Sequence, residues 1–549
     1  MLHLTEAPEP AVLSVADDEI LLVTNADLRE TANIKAWPVA ADFEQRLVAA
    51  LRDRFGKRLR RAHPIDPQRG HGFIASQKEG NAILARVPAD APIIVLVTTW
   101  QYSYHLAPSL AMHRGPVLLL ANFDGTWPGL VGMLNLAGTL TSIGRPYARL
   151  WSERFDDDMF FAGLGEWLTT GKIDHDLSHL HPIAADHRVL QSAEGRLGVA
   201  VAERSLRQKE IIGIFDAGCM GMLNGIFPIK SMLDIGMPLE LLSQSDLLVE
   251  MDNVPTDLRE ACLAWYEARG MRFVFGSDEA SELTRRQVLE QCAMLIAMGR
   301  YVSRYGLTAV GVQYQQGLAR CCASSDFAEG AIGSAERFPI PDAAGEIVHP
   351  GKPIPCVNEV DVGTAIPQVL MYRLLDSLGL PSATTLHDVR WGSPFEGRFY
   401  WDFEISGAVP FEHIKGGIAG ASGYRQAPMY FPRGGSTITG QGKAGRIIWA
   451  RAHYEGLAVH LHLGTGHATE LPEAEFNRRR QATNPEWPLV NVELDGVDRD
   501  HFMAGHESNH VTLTYVDEDK LGGVFRALVA QALTHGMKVT VAGDAIAYL

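Results

Sequence analysis

The chain has 549 residues, of which 46% are hydrophobic and 21% charged, and a formal net charge of −16. That length is too great for one core and suggests about three domains of a water-soluble globular protein. The acidic balance argues against nucleic acid and anionic membranes as partners, and no apolar run approaches the ~20 residues needed to cross a bilayer.

The first residues, Met1 to Glu6, lack a basic region followed by an apolar block, so no signal peptide is expected. Glu19 to Val23 reads as a strand ending in the loop Thr24-Asn25-Ala26-Asp27, and Phe43 to Phe55 has helical spacing. Ala91 to Thr99 reads as a buried parallel strand that delivers Trp100-Gln101-Tyr102 to its carboxyl end. Gly115 to Asn122 repeats the plan and delivers Asn122 to Trp127. Strands alternating with helices at this interval mean a parallel, doubly wound sheet, here residues 1–180. Trp100 and Trp127 are placed either to stack on the apolar face of a sugar or to cap the sheet.

A second α/β unit is expected over 181–351. Lys209 to Phe215 and Thr308 to Gln313 read as strands, and Glu282 to Tyr305 as a long helix. The turn after Phe215 is rich in small residues but holds no Gly-x-Gly-x-x-Gly, so no nucleotide is inferred. Gln313, Gln315 and Gln316 follow the later strand. Ser325 to Gly351 has no periodicity and reads as a connecting or lid loop. Six cysteines (Cys219, Cys262, Cys292, Cys321, Cys322, Cys356) are too few and scattered for a disulfide framework, so a reducing cytoplasmic setting is expected.

The third unit, 352–549, opens on Pro355 to Trp391. Glu359 and Asp361 precede a predicted helix with Thr364 as N-cap, Pro367 in its first turn, and Ile366, Leu370, Leu374 and Leu378 as its buried stripe. Gly379 is its natural stop. His387-Asp388 follow a short apolar segment. Beyond them the texture turns to alternating, glycine-rich segments, read as β-rich, with Gly445 to Arg451 and Glu455 to Leu463 as antiparallel strands. His460, His462 and His467 are an alternative set of metal ligands on that region. Near the end, His506 and Asn509-His510 run into the strand-like Val511 to Tyr515. An imidazole with two carboxylates makes an N/O site suited to a divalent first-row metal such as Mn²⁺.

Together these pieces resemble the L-fucose isomerase family and, more distantly, L-arabinose isomerase. The resemblance rests on Cys356-x-x-Glu359-x-Asp361-x-Gly363 leading into a helix, the Asp388 segment, and Asn509-His510 before a strand. It implies two doubly wound α/β domains followed by a β-rich domain. It also implies that Glu359, Asp388 and His510 bind Mn²⁺, and that Glu359 and Asp388 move the protons. Asp361 remains an alternative neighbour for Glu359, and His506 an alternative to His510. Trp100, Gln315 and Asn509 are the implied substrate contacts, and a homo-oligomer follows because the family is usually hexameric.

The chemistry explains the residue types. Aldose–ketose isomerisation moves a hydrogen between two carbons, so one carboxylate must take a carbon-bound proton and a second must shuttle the hydroxyl proton. A cation then stabilises the enolate charge. A lyase, decarboxylase or epimerase on another carbohydrate or keto acid would reuse the same groups, with Arg390, Arg425 and Arg433 meeting an anionic substrate. A non-catalytic sugar-binding protein would not need the metal.

Overall fold

The computed structural model describes residues 10–313 and 315–549. Met1 to Glu6 and Tyr314 lie outside them. The chain divides into two compact units, Met1–Asp174 and His175–Leu549.

In the first unit five strands form one parallel sheet: β1 (Glu19–Val23), β2 (Arg58–Arg61), β3 (Ile93–Val97), β4 (Val117–Asn122) and β5 (Ala148–Ser152), in the order β2-β1-β3-β4-β5. Strands β3 and β4 are buried along their whole length, which is why they read as unbroken Ile/Val/Leu runs. The helix Glu30–Phe55 begins well before the expected Phe43. Its first inward positions are Ala32, Asn33, Ala36 and Ala40, and small or polar residues carry little hydrophobic signal. The strand order reverses between β1 and β3, so their carboxyl ends flank the crevice where open α/β sheets bind ligands.

The second unit holds two main sheets. Its first helical and strand elements include β6 (Leu180–Ile183), β7 (Ile212–Phe215) and β8 (Leu239–Leu242). The short β9 (Arg272–Phe273) and β10 (Ala309–Val312) follow. Strands β10, β7 and β8 form a parallel three-stranded sheet in that order. Further on come β11 (Thr385–Phe395), β12 (Arg398–Glu404), β13 (Ser422–Gly423), β14 (Gly445–Glu455), β15 (Ala458–Thr469), β16 (Leu489–Leu494), β17 (His510–Tyr515) and β18 (Lys538–Ala542). They make a mixed sheet in the order β14-β17-β11-β12-β16-β15-β18-β6, while β13 pairs with β9. Strand β14 also pairs antiparallel with β15. Six antiparallel strands thereby close on themselves, leaving no free edge among them. The alternating segments 399–404, 445–451 and most of 455–463 are strand, whereas the glycine-rich stretch 405–444 holds only the two-residue β13 and short helical turns.

Two features differ from the sequence reading. The chain parts at Asp174 rather than at 180, and residues 175–549 form one unit rather than two. Burial explains this. One core joins Ile212 and Ile214 of β7, the helix Val362–Ser377, strands β14 and β15, and the helix Glu518–Thr534. In addition, Ser325–Gly351 is not a plain loop. Asp326–Ile332 is a helix with every residue buried. Asp326 and Glu329 broke its apolar pattern in the sequence. No helix among the described residues is long and apolar enough to cross a membrane.

Candidate functional site

The segment before Glu359 runs beside β10. Val310 accepts it as a parallel neighbour at Cys356, and the amide of Val357 donates to the Val310 carbonyl at 2.9 Å. The chain then turns sharply. Glu359 and Val360 take φ values of 56° and 59°. Such values are uncommon for any side chain and strained for a β-branched one, at a cost on the order of 1–3 kcal/mol each. The turn places the Glu359 carboxylate in the interior, 4% exposed. Gln315 and Ser406 each donate to its Oε1 at 3.2 Å.

The helix Val362–Ser377 starts on Asp361, not on Thr364. Asp361 Oδ1 accepts from the amide of Gly363 at 2.9 Å. Its Oδ2 meets Nδ1 of His510 at 2.6 Å and the guanidinium of Arg451. Pro367 consequently sits past the first turn, inside the helix. Gly379 follows the helix end at φ 65°, the left-handed conformation expected of a stop. Gly363 is needed for another reason. A Cβ there would lie 2.4 Å from the guanidinium carbon of Arg451 and 2.6 Å from the carbonyl of Ala452.

Strand pairing supplies the rest. Asp388 on β11 lies directly opposite His510 on β17 and opposite Glu404 on β12. A register shift follows between Val389 and Trp391, the kind of bulge that re-aims side chains. Asn509 donates from Nδ2 to Asp388 Oδ1 at 2.9 Å. Nε2 of His510 faces Asp388 Oδ1 at 3.2 Å and Glu359 Oε2 at 3.6 Å, with no hydrogen bond of acceptable geometry to either among the described residues.

Charge is unevenly balanced here. Burial pushes the Glu359 carboxyl above its ordinary range, and nearby Asp388 adds to that while His510 opposes it. Burial also works against ionised Asp361, but Arg451 and His510 hold its carboxyl down at about 2. Burial favours a neutral His510, yet Asp388 and Asp361 together raise it to about 10. Beside Glu359 lie two more buried acids, Asp326 and Glu329, both raised by burial, Asp326 to about 7. Gln426 donates to Asp326 and Asn358 to Glu329. Of these buried carboxylates Asp361 alone pairs with Arg451, while His510 faces Asp361, Asp388 and Glu359.

Of the expected residues, Glu359, Asp388, His510, Gln315 and Asn509 come together. Trp100 does not belong to this unit: it stands half-buried after β3 in the first. His506 does not replace His510. Its Nε2 contacts the His510 carbonyl at 3.0 Å, and its ring stacks on Phe502. The set His460, His462 and His467 does not form either. His467 is exposed, and His462 is buried against Trp449 and near His506. Sequence reasoning missed Arg451 and Ser406, which lie in segments without a motif, and the orienting role of Asp361.

Glu359, Asp388 and His510 are residue types that could hold a divalent ion, but their ligand atoms do not all lie within 4.8 Å of one another. Asp361 holds Nδ1 of His510, which fixes the ring and leaves Nε2 aimed at two carboxylates, the usual arrangement behind a metal-binding histidine. The two carboxylates flank Nε2, and they must draw in around it to share one ion. Comparison with models of protein families and with the sequences of curated proteins yields no match.

Proposed function

We propose that the chain is an aldose–ketose isomerase that needs a divalent metal, Mn²⁺ or a similar first-row ion, and acts on a free sugar through an enediol. The two-sheet α/β organisation followed by a closed antiparallel β region is read as fucose isomerase-like, and a homo-oligomer is part of the same reading. The carrying observation is the approach of one locked imidazole nitrogen to two carboxylates, Asp388 at 3.2 Å and Glu359 at 3.6 Å.

A bound ion would act as a Lewis acid on the charge that develops at the sugar oxygens. The side chains divide the rest of the work. Gln315 and Ser406 occupy Oε1 of Glu359, which leaves Oε2 turned toward His510. Burial raises the Glu359 carboxyl above its ordinary range, which strengthens it as a base once ionised. Asp388 is steered by Asn509 and offers the second base. One carboxylate takes the carbon-bound proton and returns it to the neighbouring carbon, and the other carries the hydroxyl proton.

The lyase or decarboxylase reading gains nothing from Arg390 or Arg425. Arg390 is buried against Glu404, 3.4 Å away, and Arg425 donates to the carbonyls of Glu279, Gln426 and Pro432. The test is turnover of a panel of aldoses by Mn²⁺-loaded protein and by the same protein after chelation. Ketose formation that disappears with the metal supports the proposal; its absence on every aldose removes it.

A further inference from the structure

A second cluster of ligating side chains lies at the end of the β14–β15 hairpin. His453 and His460 are directly opposite each other in the ladder, and Glu455 is two residues further along β14. Residues two apart on a strand share a face, so the three project together. Nε2 of His453 is 3.7 Å from Glu455 Oε1, and Nε2 of His460 is 3.8 Å from Glu455 Oε2. The two rings stack with centroids 4.9 Å apart.

These distances are too long for hydrogen bonds. They are close to the ~3.4 Å that separates ligand atoms held ~2.1 Å from a tetrahedral centre. One ligand atom from each residue lies within 4.8 Å of the others, and among the described residues this trio alone meets that condition. His460 Nε2, the atom that faces Glu455, is buried without a hydrogen-bond partner among the described residues. The backbone already fixes the arrangement. Glu455 pairs with Ala458 across the two-residue turn Gly456-Leu457, so the register of the ligands is set by the ladder and little ordering remains for an ion to impose.

We infer that His453, Glu455 and His460 form a second metal site, selective for a borderline ion of the Zn²⁺ class, which would clip the two strands at the hairpin tip. Two imidazoles and one carboxylate favour such an ion over Mg²⁺ or Ca²⁺, and three protein ligands leave a position for water. The site shares no ligand with Glu359, Asp388 and His510, and it stands whether or not the isomerase proposal does.

The experiment titrates Zn²⁺ into chelator-stripped, full-length protein carrying His510→Ala, which weakens the other site. It is repeated with His453→Ala, His460→Ala or Glu455→Gln added. One equivalent of Zn²⁺ is expected in the His510→Ala protein. Each added change is expected to weaken that equivalent at least about tenfold, the scale seen even for loss of an orienting partner. Glu455 is exposed, so Glu455→Gln keeps the fold and the test holds even where a histidine variant does not fold. No zinc in the His510→Ala protein, or zinc bound equally after Glu455→Gln, overturns the inference.

Discussion

Nδ1 of His510 lies 2.6 Å from Oδ2 of Asp361. This contact couples the start of the helix Val362–Ser377 to strand β17, because the same carboxylate caps that helix. It also sets which imidazole nitrogen is free to face Glu359 and Asp388.

Asp361 has a second partner, Arg451, and both side chains are fully buried. Breaking such a pair from one side leaves an uncompensated charge, at a cost of about 3–5 kcal/mol. Asp361→Asn and Arg451→Met are each expected to lower unfolding stability on that scale. The double variant should lose less than the sum, because neither charge is then stranded. Chemical denaturation of the four proteins measures this. Strict additivity would mean that the pair is not coupled.

Gly363 carries a related expectation. Alanine at this position would press a methyl group onto the Arg451 guanidinium and the Ala452 carbonyl. Gly363→Ala is expected to destabilise by about 1–3 kcal/mol, although alanine is normally the better helix former. A neutral or stabilising result by thermal denaturation would show that Arg451 can move aside.

Glu404 gives a pH signature. Burial pushes its carboxyl up to about 8, against the opposing charge of Arg390. Unfolded, the group titrates near ~4.3, so the folded chain keeps a proton that the unfolded chain gives up. The stability tied to that proton is complete below pH ~4 and is lost as pH rises toward 8. Glu404→Gln removes the linkage. Measured on chelated protein, the variant should gain on the parent between pH 5 and 8, by up to about 1.4 kcal/mol per unit. A constant difference across that window would place the carboxyl in its ordinary range.

His510 connects metal binding to protons. In the metal-free chain it is raised to about 10 by Asp388 and Asp361, despite its burial, so it carries a proton at neutral pH. An ion at Nε2 must displace that proton. Mn²⁺ binding is therefore expected to release a proton and to tighten about tenfold per pH unit below 10. Calorimetry in two buffers of different ionisation enthalpy counts the protons. Equal heats in both buffers would place the ion elsewhere.

Much of this was legible in sequence, for physical reasons that differ by element. Strands β3 and β4 are buried on both faces and so read as plain apolar runs. Glu359 stood out because it sits just before a regular helix; Asp388 reads as the end of a short apolar segment but lies inside β11. Asn509 and His510 stood out because they lead into an alternating strand, of which His510 is the first residue. What stayed hidden was three-dimensional. Arg451 is one of several polar residues on β14, and the packing of the helix Val362–Ser377 against that strand brings it to Asp361. His453 and His460 are seven residues apart, and only the hairpin register sets them opposite. Asp326 and Glu329 disguised a buried helix as a loop. The strained turn at Glu359 and Val360 has no glycine to announce it.

The most direct measurement is turnover of aldoses by the Mn²⁺-saturated parent, Glu359→Gln and Asp388→Asn, with metal content determined in the same samples. Each amide keeps the size of the carboxylate and one ligand oxygen, but cannot accept a carbon-bound proton. The parent should form ketose, and at least one variant should retain metal while losing kcat by about 10²–10⁴, the usual worth of a positioned acid/base group. Two variants that bind metal normally and turn over like the parent would contradict the assignment of Glu359 and Asp388 as the groups that move the protons.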